Sequence, residues 1–338
     1  MAVREGEGVL SRLIENRFLR IDGSNGASFF FPVGCFTDWK RGLEFYRAVS
    51  MSAKLKKALL ALAFPVLKRR ARSTAAEIAQ IIAAELGLPE VPQMEARASA
   101  MISPTRDKAL LHHHGRSFEK FAAGNSLPGV RRELELYRHL AEWSPTSFAF
   151  SRLLGFSTKE SFVRFEMAYA DGSFRDAPPQ LSALIGPLAE FFSLPGETTR
   201  PWAELWNDLA PEVEIPAEYR EGETRVGLVH RDFKPWNVKS GNKPLFFDFE
   251  SVSFAGCPLE DLFNYYVEPR ITHGAESLKK SVSREVFPLA EALLRRLDIP
   301  VGEVARYWRW YLTERSVFWR TQGQAEHASR FESLLWLS

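Results

Sequence analysis

Cysteine is nearly missing: Cys35 and Cys257 are the only two in 338 residues. They lie far apart in sequence, so no CxxC pair or finger spacing exists for zinc, and no disulfide framework is expected. Long apolar runs are missing too. No stretch reaches the roughly 18 apolar residues that a spanning helix needs. The first residues carry Glu5, Glu7 and Glu15 and no apolar signal core, so a cytoplasmic protein in a reducing compartment is expected. Charge of one sign is not in excess either. Lys and Arg total 44 against 42 Asp and Glu, a net of +2, which argues against disorder and against a nucleic-acid partner. What the chain does have is apolar material. At 45% hydrophobic and 13% aromatic residues it can fill one large or two medium domains.

No internal repeat or low-complexity segment interrupts the chain. Residues 1–92 read as an N-terminal extension. "FLRIDGSNGASFFFPV" predicts two short strands around a Gly/Asn/Ser turn. "MSAKLKKALLALAFPVLKRRARS" predicts a helix interrupted near Pro65. "STAAEIAQIIAAELGLP" predicts a cleaner helix, started by a Thr74/Glu77 capping box and ended by Gly87 and Pro89. Residues 93–170 alternate like strands, with one inserted helix at "PGVRRELELYRHLAEW". Residues 171–338 are mostly helical. The expected class is α+β and two-lobed: a small antiparallel-sheet lobe with one main helix, then a helical lobe. The connection falls near Met167 to Asp171.

Phosphoryl transfer needs an oriented acceptor oxygen, a divalent cation to neutralise phosphate charge, and a lysine on the phosphates. "LVHRDFKPWNVKSGNKPLFFDFE", positions 228–250, supplies much of this. His230-Arg231-Asp232 with Asn237 fits H-R-D-x-x-x-x-N, in which Asp takes or orients the hydroxyl proton and Asn ligates magnesium. Asp248 follows after a strand, a Ser-Gly-Asn-Lys turn and a second strand. Such a hairpin would bring Asn237 and Asp248 close enough to share a cation, and oxygen ligands suit Mg2+ rather than zinc. Singly, each residue has an ordinary reading as a turn former or a cap. Their conjunction is much rarer.

The run resembles the catalytic segment of the protein-kinase-like superfamily, and most of all the aminoglycoside phosphotransferase and choline kinase branch. The resemblance spans about residues 95–335 and is strongest at 228–264. It implies a protein-kinase-like fold with ATP and Mg2+, Asp232 as catalytic residue, and Asn237 and Asp248 as metal ligands. By the same likeness Lys234, placed as in "HRDLKP", touches the transferred phosphate. Lys120 in "SFEKFAAG" is the candidate for the strand lysine on the nucleotide, with Lys108 second. Glu133 is its candidate helix partner, with Glu135 second. Met167, Ala168 and Tyr169 are expected to line the adenine slot. Two departures stand out. No glycine-rich loop precedes Lys120, so phosphate cradling would fall to Ser103–Lys108, and Glu250 stands where protein kinases carry Gly. His112 to His114 read as a strand with two outward histidines rather than as a metal site.

No Ala-Pro-Glu segment follows Asp248. "GCPLEDL" comes instead, resembling the G-x-P-x-x-D-L element of the small-molecule branch, with Asp261 as its anchor. The acceptor is therefore expected to be a hydroxyl of a small molecule, sugar or glycan. A pseudokinase or nucleotide-binding module without turnover is the alternative, and an atypical protein kinase the third. Tyr307, Trp310, Tyr311 and Phe318 follow helical spacing, which favours packing over sugar stacking. The basic stretch 54–72 reads either as a peripheral membrane contact or as a helix docked on the small lobe with its charges in water.

Overall fold

The computed structural model describes residues 17–22, 27–45, 51–88, 90–94, 98–103, 107–113, 116–170, 173–175, 177–196, 198–272 and 274–335. The chain divides into two compact units, residues 1–128 with 153–169, and residues 129–152 with 170–338. The architecture is α+β, as expected.

The first unit holds a seven-stranded antiparallel sheet. Its strands are β1 (Phe18–Asp22), β2 (Ser28–Pro32), β3 (Ser99–Ser103), β4 (Lys108–His113), β5 (Ser117–Ala123), β6 (Leu153–Thr158) and β7 (Phe162–Ala168), in the order β1-β2-β3-β4-β5-β7-β6. The two strands of the extension thus continue the same sheet, because β2 pairs with β3 from Ser28↔Ile102 to Phe30↔Ala100. The turn expected at residues 23–26 lies outside the described residues.

Strand alternation sends successive side chains to opposite faces, and both faces are used. On one, helix α4 (Ala75–Leu86) lays Ile78, Ile82 and Leu86 onto Phe18, Phe30, Ile102, Leu111 and Phe121. Full burial of each such side chain is worth about 1.5–3 kcal/mol. The capping box is present, with Glu77 N–H donating to Thr74 Oγ1 at 3.2 Å and Thr74 N–H to Glu77 Oε2 at 2.7 Å. Gly87 ends the helix at φ +59° in the left-handed region, while Pro89 lies outside the described residues. On the other face, α1 (Phe36–Phe45), α2 (Met51–Leu62) and the short α3 (Phe64–Leu67) cover β1 and β2. Trp39 and Leu43 pack there with Leu19, Phe31 and Val33, backed by Leu60, Ala61, Phe64 and Leu67. The break between α2 and α3 falls at Ala63, two residues before Pro65.

The second unit begins with α5 (Leu127–Trp143), whose first two residues belong to the first unit. After α6 (Ile185–Ser193) come β8 (Thr198–Pro201), α7 (Trp202–Leu209) and β9 (Glu223–Val229). The hairpin β10 (Val238–Lys239) and β11 (Leu245–Phe246) follows, then β12 (Ser253–Gly256). Strands β8, β9 and β12 form a three-stranded sheet absent from the sequence reading. The rest is helical: α8 (Glu260–Val267), α9 (Ala275–Ser281), α10 (Phe287–Arg296), α11 (Val304–Thr321) and α12 (Ala325–Leu335). Tyr307, Trp310 and Tyr311 are buried, so the aromatic stripe of α11 packs, with Trp202 and Tyr219 around Trp310. Among the described residues no helix is long and apolar enough to cross a membrane.

Candidate active site

Strand β9 ends at Val229, and the next residues turn sharply. Arg231 adopts φ +61°, a left-handed conformation that costs a non-glycine residue energy and must be held by its surroundings. Asp261, at the start of α8, does the holding. Its two carboxylate oxygens accept from His230 N–H at 2.7 Å and Arg231 N–H at 2.9 Å, while Asn264 Nδ2 donates to Arg231 O at 2.8 Å. Burial pushes the Asp261 carboxyl up to about 6, against the pull of His230 and of the two main-chain N–H groups. The ring of His230 is buried against Phe249 and Phe233, and its Nε2 lies 2.9 Å from Phe247 O. The start of the loop is therefore tied both to α8 and to the segment that leads into Asp248.

This tying leaves Asp232 presented at the surface of the turn, with about a third of its side chain exposed. Both its oxygens are oriented. Asn237 Nδ2 donates to Oδ2 at 2.8 Å and also to the Asp232 carbonyl at 2.8 Å. Lys234 Nζ sits 2.7 Å from Oδ1. With its amide nitrogen spent on Asp232, buried Asn237 keeps its side-chain oxygen as the atom to offer a cation. The Lys234 ammonium lies 5.7 Å from the ring centre of Trp236 and 5.8 Å from that of Trp319, within cation–π range of both.

The expected hairpin is present, pairing Val238↔Phe246 and Lys239↔Leu245. Phe247 N–H donates to Asn237 O at 3.3 Å, so the chain passes Asn237 just before it reaches Asp248. Asp248 adopts φ +68°, a second left-handed residue beside the loop. Ligand oxygens of Glu133, Asp248 and Glu250 all lie within 4.8 Å of one another. Glu133 is 1% exposed and accepts from Phe249 N–H at 3.3 Å. Sequence reading paired Glu133 with Lys120 and treated Glu250 only as a departure from Gly. The carboxylate cluster was missed, because the spacing along the chain gives no sign that α5 meets the segment after β11.

In the first unit, Lys120 is buried on β5, an interior strand flanked by β4 and β7. The register pairs Lys120↔Phe165 and Phe118↔Met167, which sets Lys120 and Met167 on one face of the sheet and Ala168 on the other. Tyr169 N–H donates to Arg116 O at 3.4 Å, and its ring meets Phe118 edge-on at 4.6 Å. The histidines depart from expectation. His112 and His113 are both buried, not outward. His112 stacks on Phe118 at 4.7 Å, and His113 Nε2 lies 3.5 Å from buried Glu119. The rings of Phe118 and Tyr169 cover His112 on one face, and buried Glu119 takes up His113 on the other. His114, residues 104–106 of the expected phosphate cradle, and Asp171-Gly172 lie outside the described residues.

A second polar layer lies behind the loop. Glu260 accepts from Cys257 N–H at 2.8 Å and Trp310 Nε1 at 3.3 Å, and it faces Arg231 at 3.5 Å. Glu268 pairs with Arg315 at 2.9 Å, accepts from Trp319 Nε1 at 3.2 Å and lies 3.6 Å from His327. Burial works against ionising Glu268, yet His327, Arg315, Lys234 and Trp319 together hold its carboxyl down to about 2. These carboxylates are buried in networks, so they give no acidic lining for a cationic substrate.

No protein-family model matches the chain, and no curated protein does. Solved structures do resemble it. One is aminoglycoside phosphotransferase APH(3'')-Id from Streptomyces rimosus, at 12% identity over 68% of this chain and 90% of that one, with a TM-score of 0.36. A second is APH(2'')-IIa in a gentamicin complex, at 16% identity over 79% and 97%, with a TM-score of 0.38. A third is the spectinomycin phosphotransferase APH(9)-Ia, solved with ADP and spectinomycin, at 12% identity over 70% and 85%, with a TM-score of 0.32. The solved structures to which this chain is similar therefore include phosphotransferases described by the antibiotics they carry.

Proposed function

We propose that the chain is an ATP-dependent phosphotransferase that moves the γ-phosphate to a hydroxyl of a small molecule, sugar or glycan. The observation that carries this reading is Asp232, a partly exposed carboxylate oriented by an amide on one oxygen and an ammonium on the other. A base for a hydroxyl proton needs that combination of access and fixed direction. In the reaction, the acceptor oxygen forms a bond to the γ-phosphorus as the bond from that phosphorus to the bridging oxygen breaks. The hydroxyl proton passes to Asp232, and ADP leaves with the bridging oxygen. Lys234, paired with Asp232, would meet the charge on the transferred group once the acceptor loosens that pairing.

The donor set suits a hard divalent cation. Asn237 and Asp248 would hold Mg2+, with Glu133 and Glu250 close to Asp248, and all four offer oxygen. Bound there, Mg2+ would neutralise phosphate charge. Lys120 would serve the nucleotide phosphates and the Met167–Tyr169 main chain the adenine ring. Trp236 and Trp319 flank Lys234, and aromatic faces of this kind suit the apolar side of a sugar ring.

The test is an ATP-consumption screen over sugars, amino-alcohols, aminoglycosides and nucleosides with Mg2+, paired with calorimetry of ATP binding with and without Mg2+. Acceptor-dependent ADP release is expected, along with Mg2+-dependent ATP binding that Asp248→Ala abolishes. ATP binding that needs no metal, survives Asp248→Ala and is accompanied by no turnover would assign the chain to nucleotide-binding modules instead.

A further inference from the structure

The first unit carries a surface that the reaction does not use. Helices α2 and α3 give one side to the core, through Leu60, Ala61, Phe64 and Leu67. Their other side is apolar as well. Leu55, Leu59, Leu62 and Val66 are 64%, 57%, 80% and 62% exposed. Their spacing of four, three and four residues makes a single stripe along the helical axis. The backbone runs nearly unbroken across the junction, since Ala63 N–H donates to Leu59 O at 2.9 Å and Leu67 N–H to Ala63 O at 3.0 Å. Large apolar side chains left in water in a row, rather than singly, call for a partner.

The charges around the stripe say which partner. No acidic residue occurs between Glu44 and Glu77, while Lys54, Lys56, Lys57, Lys68, Arg69 and Arg70 all fall in that interval. Lys68, Arg69 and Arg70 are exposed where α3 ends, and Lys68 Nζ donates to Gly34 O at 3.1 Å. A second copy of this chain would set like charges against each other across the contact, at an energetic penalty that no described acidic residue on these helices relieves. A planar anionic surface has no such penalty. Headgroups meet Arg69 and Arg70, and the leucines enter the boundary of the acyl region.

We propose that α2 and α3 bind an anionic lipid surface, lying in its plane with Leu55, Leu59, Leu62 and Val66 inward and Arg69 and Arg70 on the headgroups. The helix is docked on the first unit, as one of the two readings of the 54–72 stretch has it, and the proposal adds the other reading on its outer side, whatever the reaction. The apolar contact and the charge each contribute, so neither alone should suffice.

The full chain can be tested by co-sedimentation with vesicles of phosphatidylcholine alone and of phosphatidylcholine with phosphatidylglycerol. Binding is expected only to the mixed vesicles, weakening as salt screens the charges. Leu59→Ser with Leu62→Ser, and separately Arg69→Glu with Arg70→Glu, should each weaken it at least about tenfold. All four positions are exposed, so the melting temperature should stay at the wild-type value, which a thermal melt checks. Three results would overturn the proposal. Wild type left in the supernatant with both vesicle types is one, and undiminished binding by either double variant is another. The third is a wild-type dimer in sedimentation velocity that the leucine variant converts to a monomer without vesicles having bound either protein; that would give the stripe to a second copy.

Discussion

Asp232 has each carboxylate oxygen oriented by a different neighbour, and the two neighbours have different expected uses. Asn237 fixes direction, and Lys234 supplies a positive charge that can be lent elsewhere. Asp232→Asn keeps the shape and removes the base. Turnover should fall about a hundredfold or more while ATP affinity is retained, measured by steady-state kinetics beside calorimetry. A variant as active as wild type would remove Asp232 from the chemistry. Glu268 carries a prediction about acid. Its folded carboxyl ionises at about 2 against an ordinary value of 4.5, so between those values the folded state binds fewer protons than the unfolded chain. Stability contributed by Glu268 is complete above that window and is lost as pH falls through it. Asp261 acts in the opposite sense, since its folded value near 6 lies above the ordinary 3.8, and its contribution fades as pH rises between them. Denaturant melts above and inside the acid window should show a shallower loss in Glu268→Gln than in wild type. That variant should also be less stable at neutral pH, because Arg315 loses its nearest carboxylate. An unchanged slope would mean that Glu268 is not held ionised.

At the scale of elements, the legible parts were those whose information is local. The capping box of α4, its glycine stop and the hairpin that delivers Asp248 are all written within a few residues, and all are present. The sheet of β8, β9 and β12 was not legible, because β8 and β12 are too short to show a period and β9 brings them together from distant positions. Two glycines mark it. A Cβ on Gly256 would fall 1.9 Å from Val229 Cγ2, and one on Gly227 would fall 2.3 Å from Phe192 O. The second obstacle is main chain of α6 and cannot swing aside. Gly227→Ala should therefore destabilise by roughly 1–3 kcal/mol, the usual scale of overpacking, read from the urea midpoint. An unmoved midpoint would show that α6 is not seated on β9 at that distance.

On the scale of the whole molecule, the described residues between 17 and 88 are built into the first unit. They supply β1 and β2 to the sheet and α4 to its face, where Phe30, Ile78 and Ile82 meet Ile102, Leu111 and Phe121. A chain beginning at residue 93 would bare that face and leave β3 as an open edge, a template for aggregation. Its expression should give aggregated protein, checked by size-exclusion chromatography; a monodisperse truncated chain would make the extension dispensable. The sequence by itself determined the capped helix α4, the hairpin of β10 and β11, the α+β class and the run from His230 to Asp248, since helix caps, turn chemistry and motif spacing act between near neighbours. Only the tertiary structure decided that Glu133 joins Asp248 and Glu250, that Asp261 grips the main chain of His230 and Arg231, and that Glu268 finds Arg315. Those pairings join residues from 30 to more than 100 positions apart, and what selects them is the packing of whole helices and strands, which no local pattern encodes.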